Sequence, residues 1–384
     1  MGKRSAPGDA RADEANIIPT KDQTRDPVEL QAKMEQWLRR HFADPDIRVT
    51  AIDMPHGSGV ANETLLMSVD RTEAGGRRTA EFVARIEAAE PLSPGSDTEL
   101  QFNMYRALEA VDDVPTPRVI GIEPDPSLLG APFFLMEKIE GRVPPDNPPY
   151  TVSGWVTELA DAERRKMWCG AIEAMARLHK VDSELFHFLP DAGRKDGLRA
   201  NLDYFIQQID EPYGERHRVI DHARDWLLAN YPSDPIPGFS WGDSRMSNII
   251  FGKDHEVAAI LDWDMVSLAG PVADLAWWIC LDVGATSGLG VSRLGGFGTG
   301  RQLVHYWEQL TGMEARHLDW HIIFGYYRCA VVVRRLTRML REQGRMPPGI
   351  AYMEHNNGPV QYLTHMFALP PMGEERSEWP GLDV

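Results

Sequence analysis

The sequence predicts an α+β chain of two lobes, a small one rich in strands followed by a larger, mainly helical one. Three observations carry this. Between residues 48 and 139 apolar residues come in short runs bounded by Gly, Pro, Asn and Asp, the mark of strands and turns. From Ala162 onward they recur at helical spacing. Between the two lies Gly141 and the Pro-rich run Pro144–Pro149, which suits a linker. The 384 residues are enough for two such domains. The expected division is a disordered tail over 1–25, an N-terminal lobe over 26–138 and a C-terminal lobe over 139–384.

The tail is polar, charged and without apolar periodicity. A helix should start at Asp26-Pro27, Asp as the cap and Pro in the first turn. Leu30, Met34, Trp37, Leu38 and Phe42 then share one face, a stripe that suits a core. Val49–Ile52 and Thr64–Val69 read as a hairpin around the loop 55–62, PHGSGVAN. A glycine-containing loop of this kind can fold over phosphates through its N–H groups, although it lacks the GK[ST] of a Walker A motif. The next strand, Ala80–Ile86, alternates Glu81, Val83 and Arg85 with Phe82, Ala84 and Ile86. The Arg85 guanidinium is always cationic and forks well onto phosphate oxygens. A helix over Thr98–Ala110 carries Gln101, with Glu99 on another face. Strands at Arg118–Ile122 and Pro132–Ile139 complete the lobe.

In the larger lobe, Ile172, Met175, Ala176 and Leu178 lie on a helix ending near His179, which reads as a structural hydrogen-bonding residue. Helices over Asn201–Ile209 and Ile220–Asn230 follow, then the break Pro232–Pro237. Beyond the stretch treated next, an apolar helix runs through Cys280. Gly284–Gly300 lacks the strand-to-helix setting of a phosphate loop and reads as a mobile loop near a substrate opening. Residues 301–343 read as helical, with Tyr327, Arg328 and Arg334 among a mixed core and rim.

The chemistry concentrates in residues 239–282. Asp243 and Asn248 are five apart and precede the apolar run Ile249–Phe251. After a turn, a second run, Val257–Leu261, ends at Asp262. A hairpin of these two runs brings Asn248 and Asp262 together at one end. A carboxylate and an amide oxygen are hard ligands that suit Mg²⁺. A separate carboxylate five residues before the Asn can orient a hydroxyl and accept its proton. Singly, each is an ordinary turn residue; in this order they match the division of labour in a kinase catalytic loop.

The stretch resembles the aminoglycoside phosphotransferase-like family of small-molecule kinases, whose pattern is H-G-D-x-x-x-x-N, a strand, then D-W-[DE]. Here it reads Trp241-Gly242-Asp243-Ser244-Arg245-Met246-Ser247-Asn248, then Leu261-Asp262-Trp263-Asp264. The later G-x-P-x-x-D-L-A element appears as Ala269-Gly270-Pro271-Val272-Ala273-Asp274-Leu275-Ala276. The mycobacterial-type aminoglycoside phosphotransferases, with W-G-D for H-G-D, are the most similar. The resemblance covers most of residues 50–330 and implies a protein-kinase-like fold. It also implies ATP and Mg²⁺ as cofactors, and transfer of the γ-phosphoryl group to a hydroxyl of a small molecule.

By the same resemblance Asp243 is the catalytic residue, and Asn248 and Asp262 hold the metal. Ser58, Gly59, Ala61 and Asn62 cap the nucleotide. Arg85 takes the place of the phosphate-binding Lys, and Gln101 that of the Glu which pairs with it. Glu137 and Ile139 offer backbone groups to adenine, and Asp274 either caps its helix or, as the family implies, holds the catalytic loop. Trp241 replaces a loop-holding His, so the loop must be braced by packing and one N–H. Trp241 and Gln101 also favour the alternative, a nucleotide-binding pseudokinase or sensor without turnover.

Composition narrows the classes. A net charge of −17 argues against nucleic-acid and anionic-membrane partners. No apolar run reaches the length of a membrane span, and the N-terminus lacks a signal-peptide core, so a cytoplasmic place is expected. The three cysteines, Cys169, Cys280 and Cys329, match neither a disulfide framework nor a zinc spacing. The chain has neither H-R-D nor D-F-G, so the acceptor is expected to be a small molecule rather than a protein. A metal-dependent hydrolase would want more His and carboxylate ligands. Nothing in the chain specifies an oligomeric state.

Overall fold

The computed structural model describes residues 25–55, 62–73, 76–88, 97–210, 212, 214–374 and 380–382. Of the expected tail over 1–25, all but Arg25 lies outside the described residues, and so do Ser58, Gly59 and Ala61 of the glycine loop. The chain divides into two compact units, one of residues 20–112 and 116–140, the other holding 113–115 and everything from 141 onward. Asp113–Pro115 joins the second unit because its carbonyls are used there. That of Asp113 accepts from Arg177 Nε at 2.7 Å, and that of Pro115 from the Ile260 N–H at 2.8 Å.

The first unit is an antiparallel sheet with a helix on each face. Its strands are β1 (Arg48–Asp53), β2 (Glu63–Glu73), β3 (Gly76–Ile86), β4 (Val119–Glu123) and β5 (Phe133–Glu137), in the order β1-β2-β3-β5-β4. Helix α1 (Pro27–His41) starts where the sequence places it, the Asp26 side chain accepting from the Val28 and Glu29 N–H groups. Its Leu30, Met34, Trp37 and Leu38 are buried in one cluster with Phe82, Ala84 and Ile86, one of the two alternating faces of β3. Arg85 alternates to the other face, paired across β2 with Thr64 and across β5 with Phe134. Helix α2 (Thr98–Leu108) packs there, its Tyr105 ring 5.8 Å from that of Phe134.

The second unit is mainly helical: α3 (Asp161–Leu178), α4 (Gly197–Tyr204), α5 (Arg218–Ala229), α6 (Pro271–Ala285), α7 (Gly300–Thr311), α8 (Leu318–Glu342), α9 (Met353–Asn356) and α10 (Gly358–Met366). Its hairpin pairs β6 (Ile249–Phe251) with β7 (Val257–Ile260), Ile249 opposite Ile260. Helix α6 is apolar nearly all round and buried along most of its length, which makes it the central helix of the unit. Helices α5, α8 and α10 share its core cluster. No helix among the described residues is long and apolar enough to cross a membrane.

Two expectations change. Residues 301–343 form two helices, because Gly312 (φ +74°) ends α7 with the left-handed cap that glycine favours. The glycine-rich stretch 284–300 is packed rather than loose. A Cβ on Gly298 would stand 2.4 Å from the Trp168 ring, and Arg293 pairs with Asp282 inside the unit.

Candidate active site

The site grows out of a buried carboxylate. Asp274, near the start of α6, is fully buried. It accepts from Ser240 Oγ (2.9 Å), the Trp241 N–H (2.7 Å), the Gly242 N–H (2.8 Å) and His179 Nε2 (2.9 Å). Its own main-chain carbonyl accepts from Ser244 Oγ at 2.7 Å. So Asp274 holds the loop backbone and does not cap its helix, whose N-cap is Gly270 with no side-chain bond. His179 is structural, as expected. Trp307 Nε1 donates to its Nδ1 at 2.9 Å, and an indole nitrogen only donates, so the imidazole proton sits on Nε2 and points at Asp274.

A second brace ties the loop to the exit of the hairpin. Ser240 and Ser267 exchange backbone hydrogen bonds of 2.9 and 3.1 Å. Trp241 is buried, and its indole N–H is shared between the carbonyls of Leu261 (3.0 Å) and Asp262 (2.9 Å). Trp241 therefore joins the segment of Asp243 to that of Asp262 by its one donor. It steadies Asp262 in a left-handed conformation (φ 66°), which is uncommon for a residue with a side chain, though Asp adopts it more readily than most. Gly242 makes the fit possible: with φ +90°, a Cβ there would lie 1.9 Å from the Met265 carbonyl oxygen.

The hairpin brings the three predicted residues together. Asn248 Nδ2 donates to the Asp243 carboxylate (Oδ2, 2.8 Å) and to the Asp243 carbonyl (2.9 Å). With the amide nitrogen so used, its Oδ1 is the atom left for a cation. The Leu261 N–H donates to the Asn248 carbonyl at 2.8 Å, so Asp262 follows directly beside Asn248. An amide oxygen and a carboxylate are the hard donors that Mg²⁺ takes, and this pair fits an ion that keeps water and phosphate in its other positions. Among the described residues no group of three or more His, Cys, Asp or Glu is placed to hold a metal.

Asp243 is held on both oxygens. Oδ1 accepts from Trp277 Nε1 at 2.7 Å, and Oδ2 accepts from Arg245 Nε at 3.0 Å as well as from Asn248. Arg245 also pairs with Asp146. Burial works against its charge, but the carboxylates of Asp243, Asp146 and Asp262 outweigh this and hold the guanidinium charged beyond its usual range. Behind the loop, Arg328 donates from Nη2 to the Gly242 carbonyl at 3.0 Å. Burial draws its guanidinium down to about 10, against the opposing pull of Asp274 and Asp243.

Trp277 and Arg328 join the site without being marked by the sequence pattern. A signal exists for the first: Trp277 is three residues after Asp274 on a helix, hence on the same face. Arg328 gives less, one cation among the aromatics of α8.

In the sheet unit, Arg85 Nη1 donates to Thr64 Oγ1 at 2.6 Å, which gives the guanidinium a hydroxyl neighbour. Gln101, at the position that best matches the family's Glu, is buried on α2. The Asn62 side chain is buried and anchors the end of its loop by accepting from the Ala88 N–H at 3.1 Å. The Glu137 N–H is used by the Arg118 carbonyl (2.9 Å) and its carboxylate by the Arg118 guanidinium, while Ile139 is half-buried just beyond β5.

A small antiparallel sheet unit, a helical unit, and an Asp and Asn five apart ahead of a hairpin that ends in Asp define a kinase-like phosphotransferase. Residues 54–312 match the phosphotransferase enzyme family, and the chain belongs to it. In fold it is similar to a Ralstonia eutropha protein provisionally named an aminoglycoside phosphotransferase, with a TM-score of 0.63 at 20% identity over 86% of this chain and 95% of that one. A thermostable mutant aminoglycoside phosphotransferase, in a ternary complex with ADP and hygromycin B, gives 0.55 at 14% identity over 86% and 97%. In sequence the chain is 26% identical over 269 residues to acyl-CoA dehydrogenase family member 11 of Homo sapiens, 69% of this chain and 32% of that protein. It spans about a third of the length of such relatives.

Proposed function

We propose that the protein transfers the γ-phosphoryl group of ATP to a hydroxyl of a small molecule, with Asp243 as the catalytic residue. The observation that carries this reading is the shared hydrogen bond between Asn248 and Asp243. It fixes the carboxylate and turns the amide oxygen away from it, which separates a metal side from an acceptor side. Asp243 orients the acceptor hydroxyl and takes its proton late, since a loose phosphoryl transition state needs positioning more than strong base chemistry. Asn248 Oδ1 and the Asp262 carboxylate hold the metal. When bound, magnesium–ATP supplies the transferable group and the cation that neutralises its charge. Arg245 keeps a positive charge beside Asp243. In the sheet unit, Arg85, Asn62, the loop residues Ser58, Gly59 and Ala61, and the backbone at Glu137 and Ile139 serve the nucleotide.

The complex with ADP and hygromycin B, formed by a protein of similar fold, supports a nucleotide and a small molecule as the ligand classes. The bracing by Trp241 supports turnover over mere nucleotide sensing, because the loop is tied down without the family's His. The test is ADP formation with a panel of hydroxylated small molecules, with and without Mg²⁺. Acceptor-dependent ADP that needs the metal is expected. Binding of ATP with no turnover on any acceptor would turn the reading to a sensor.

A further inference from the structure

We propose that Trp277 and Arg328 act as a positioning pair that fixes the carboxylate of Asp243 and leaves one lone pair of its Oδ1 for the acceptor hydroxyl. The proposal rests on the phosphotransfer reading and adds residues to it. An ionised carboxylate has about four acceptor positions. On Asp243, Oδ2 meets both Arg245 Nε and Asn248 Nδ2, whereas Oδ1 meets Trp277 Nε1. The open position is therefore on Oδ1, next to the indole N–H. That N–H, together with the two donors on Oδ2, sets the plane of the carboxylate.

What aims the indole is Arg328. The residue is 1% exposed, and among the described residues it makes no ion pair. The carboxylates of Asp274 and Asp243 act on it only at a distance, so its burial is costly, and a hydrocarbon would pack there at less cost. The guanidinium lies instead over aromatic faces, 4.5 Å from the ring centre of Trp277 and 4.8 Å from that of Phe205. Its Nη2 holds the Gly242 carbonyl, one residue before Asp243. Its Nε has no partner among the described residues. The same guanidinium thus fixes the ring that bonds the Asp243 side chain and the peptide that leads into its backbone. Arg328→Met would free both at once.

The experiment uses the full chain with three variants. Trp277→Phe keeps an aromatic ring and removes the donor; Arg328→Lys keeps the charge; Arg328→Met removes it. Steady-state ADP formation with a hydroxylated acceptor should show kcat reduced about 10- to 100-fold in Trp277→Phe, the cost of a misplaced reacting group, with the KM for ATP unchanged. Arg328→Met should fall in the same way, and Arg328→Lys should recover part of the loss. The ¹H–¹⁵N resonance of the Trp277 indole gives a readout independent of turnover. It should move in Asp243→Asn and in Arg328→Met. Unchanged kcat in Trp277→Phe, while Asp243→Asn is inactive, overturns the pair and leaves the phosphotransfer reading standing. Absence of turnover in the parent chain sinks that reading, and the indole resonance then decides the pair alone: unmoved by Asp243→Asn, the contact is refuted.

Discussion

Trp241 ties two segments of the site together through a single donor. Its N–H is shared by the Leu261 and Asp262 carbonyls, and its ring is buried against Trp263 at 6.2 Å between centres. Trp241→Phe would keep most of the packing and leave both carbonyls without that donor, at a cost of about 1–3 kcal/mol. Thermal unfolding should show a lower Tm for this variant; an unchanged Tm would mean the shared bond adds nothing. The spacing of Asp243, Asn248 and Asp262 is legible in the sequence because their chemistry and order are both unusual. Trp277 is marked only by its helical spacing from Asp274, and Arg328 not at all, because an aromatic residue on an apolar helix and an Arg among aromatics look like core and rim. Only the fold shows that one bonds Asp243 and the other packs on that ring.

The loop over 240–248 depends on close backbone approach as well as on side chains. Gly242→Ala would combine a left-handed backbone with a Cβ 1.9 Å from the Met265 carbonyl oxygen. We expect it to lose more than about 2 kcal/mol of stability, read by chemical denaturation; a variant as stable as the parent would contradict this packing. Among the elements, α1 can be read from its cap and apolar stripe, and β3 from its alternation. The break at Gly312 escapes a reading by periodicity because aromatic and basic residues continue a helical pattern on both sides of it. The stretch 284–300 misleads because glycine composition alone does not tell a loose loop from one packed against Asp161 and Trp168.

The helical unit carries a titratable group that should govern its response to acid. His321 is buried, and burial first, then the charges of His317 and Arg328, pull its imidazole from 6.5 down to about 3. Between those values the unfolded chain binds the proton and the folded chain does not. The contribution is therefore fully present above about pH 6.5 and is lost as pH falls toward 3, at up to about 1.4 kcal/mol per pH unit. His321→Gln should flatten the fall in stability over that range, measured by denaturant unfolding at several pH values; an equally steep fall would show that other groups carry it. The two-unit organisation is legible from the change of periodicity along the chain, whereas the return of Asp113–Pro115 to the helical unit rests on backbone bonds that no composition reveals. The measurement that bears most directly on the whole account is acceptor-dependent ADP formation by the parent chain and by Asp243→Asn, with Mg²⁺–ATP binding followed in both. Binding is expected in both, with turnover in the variant lowered by at least about 10³-fold relative to the parent. Equal turnover in Asp243→Asn would contradict it.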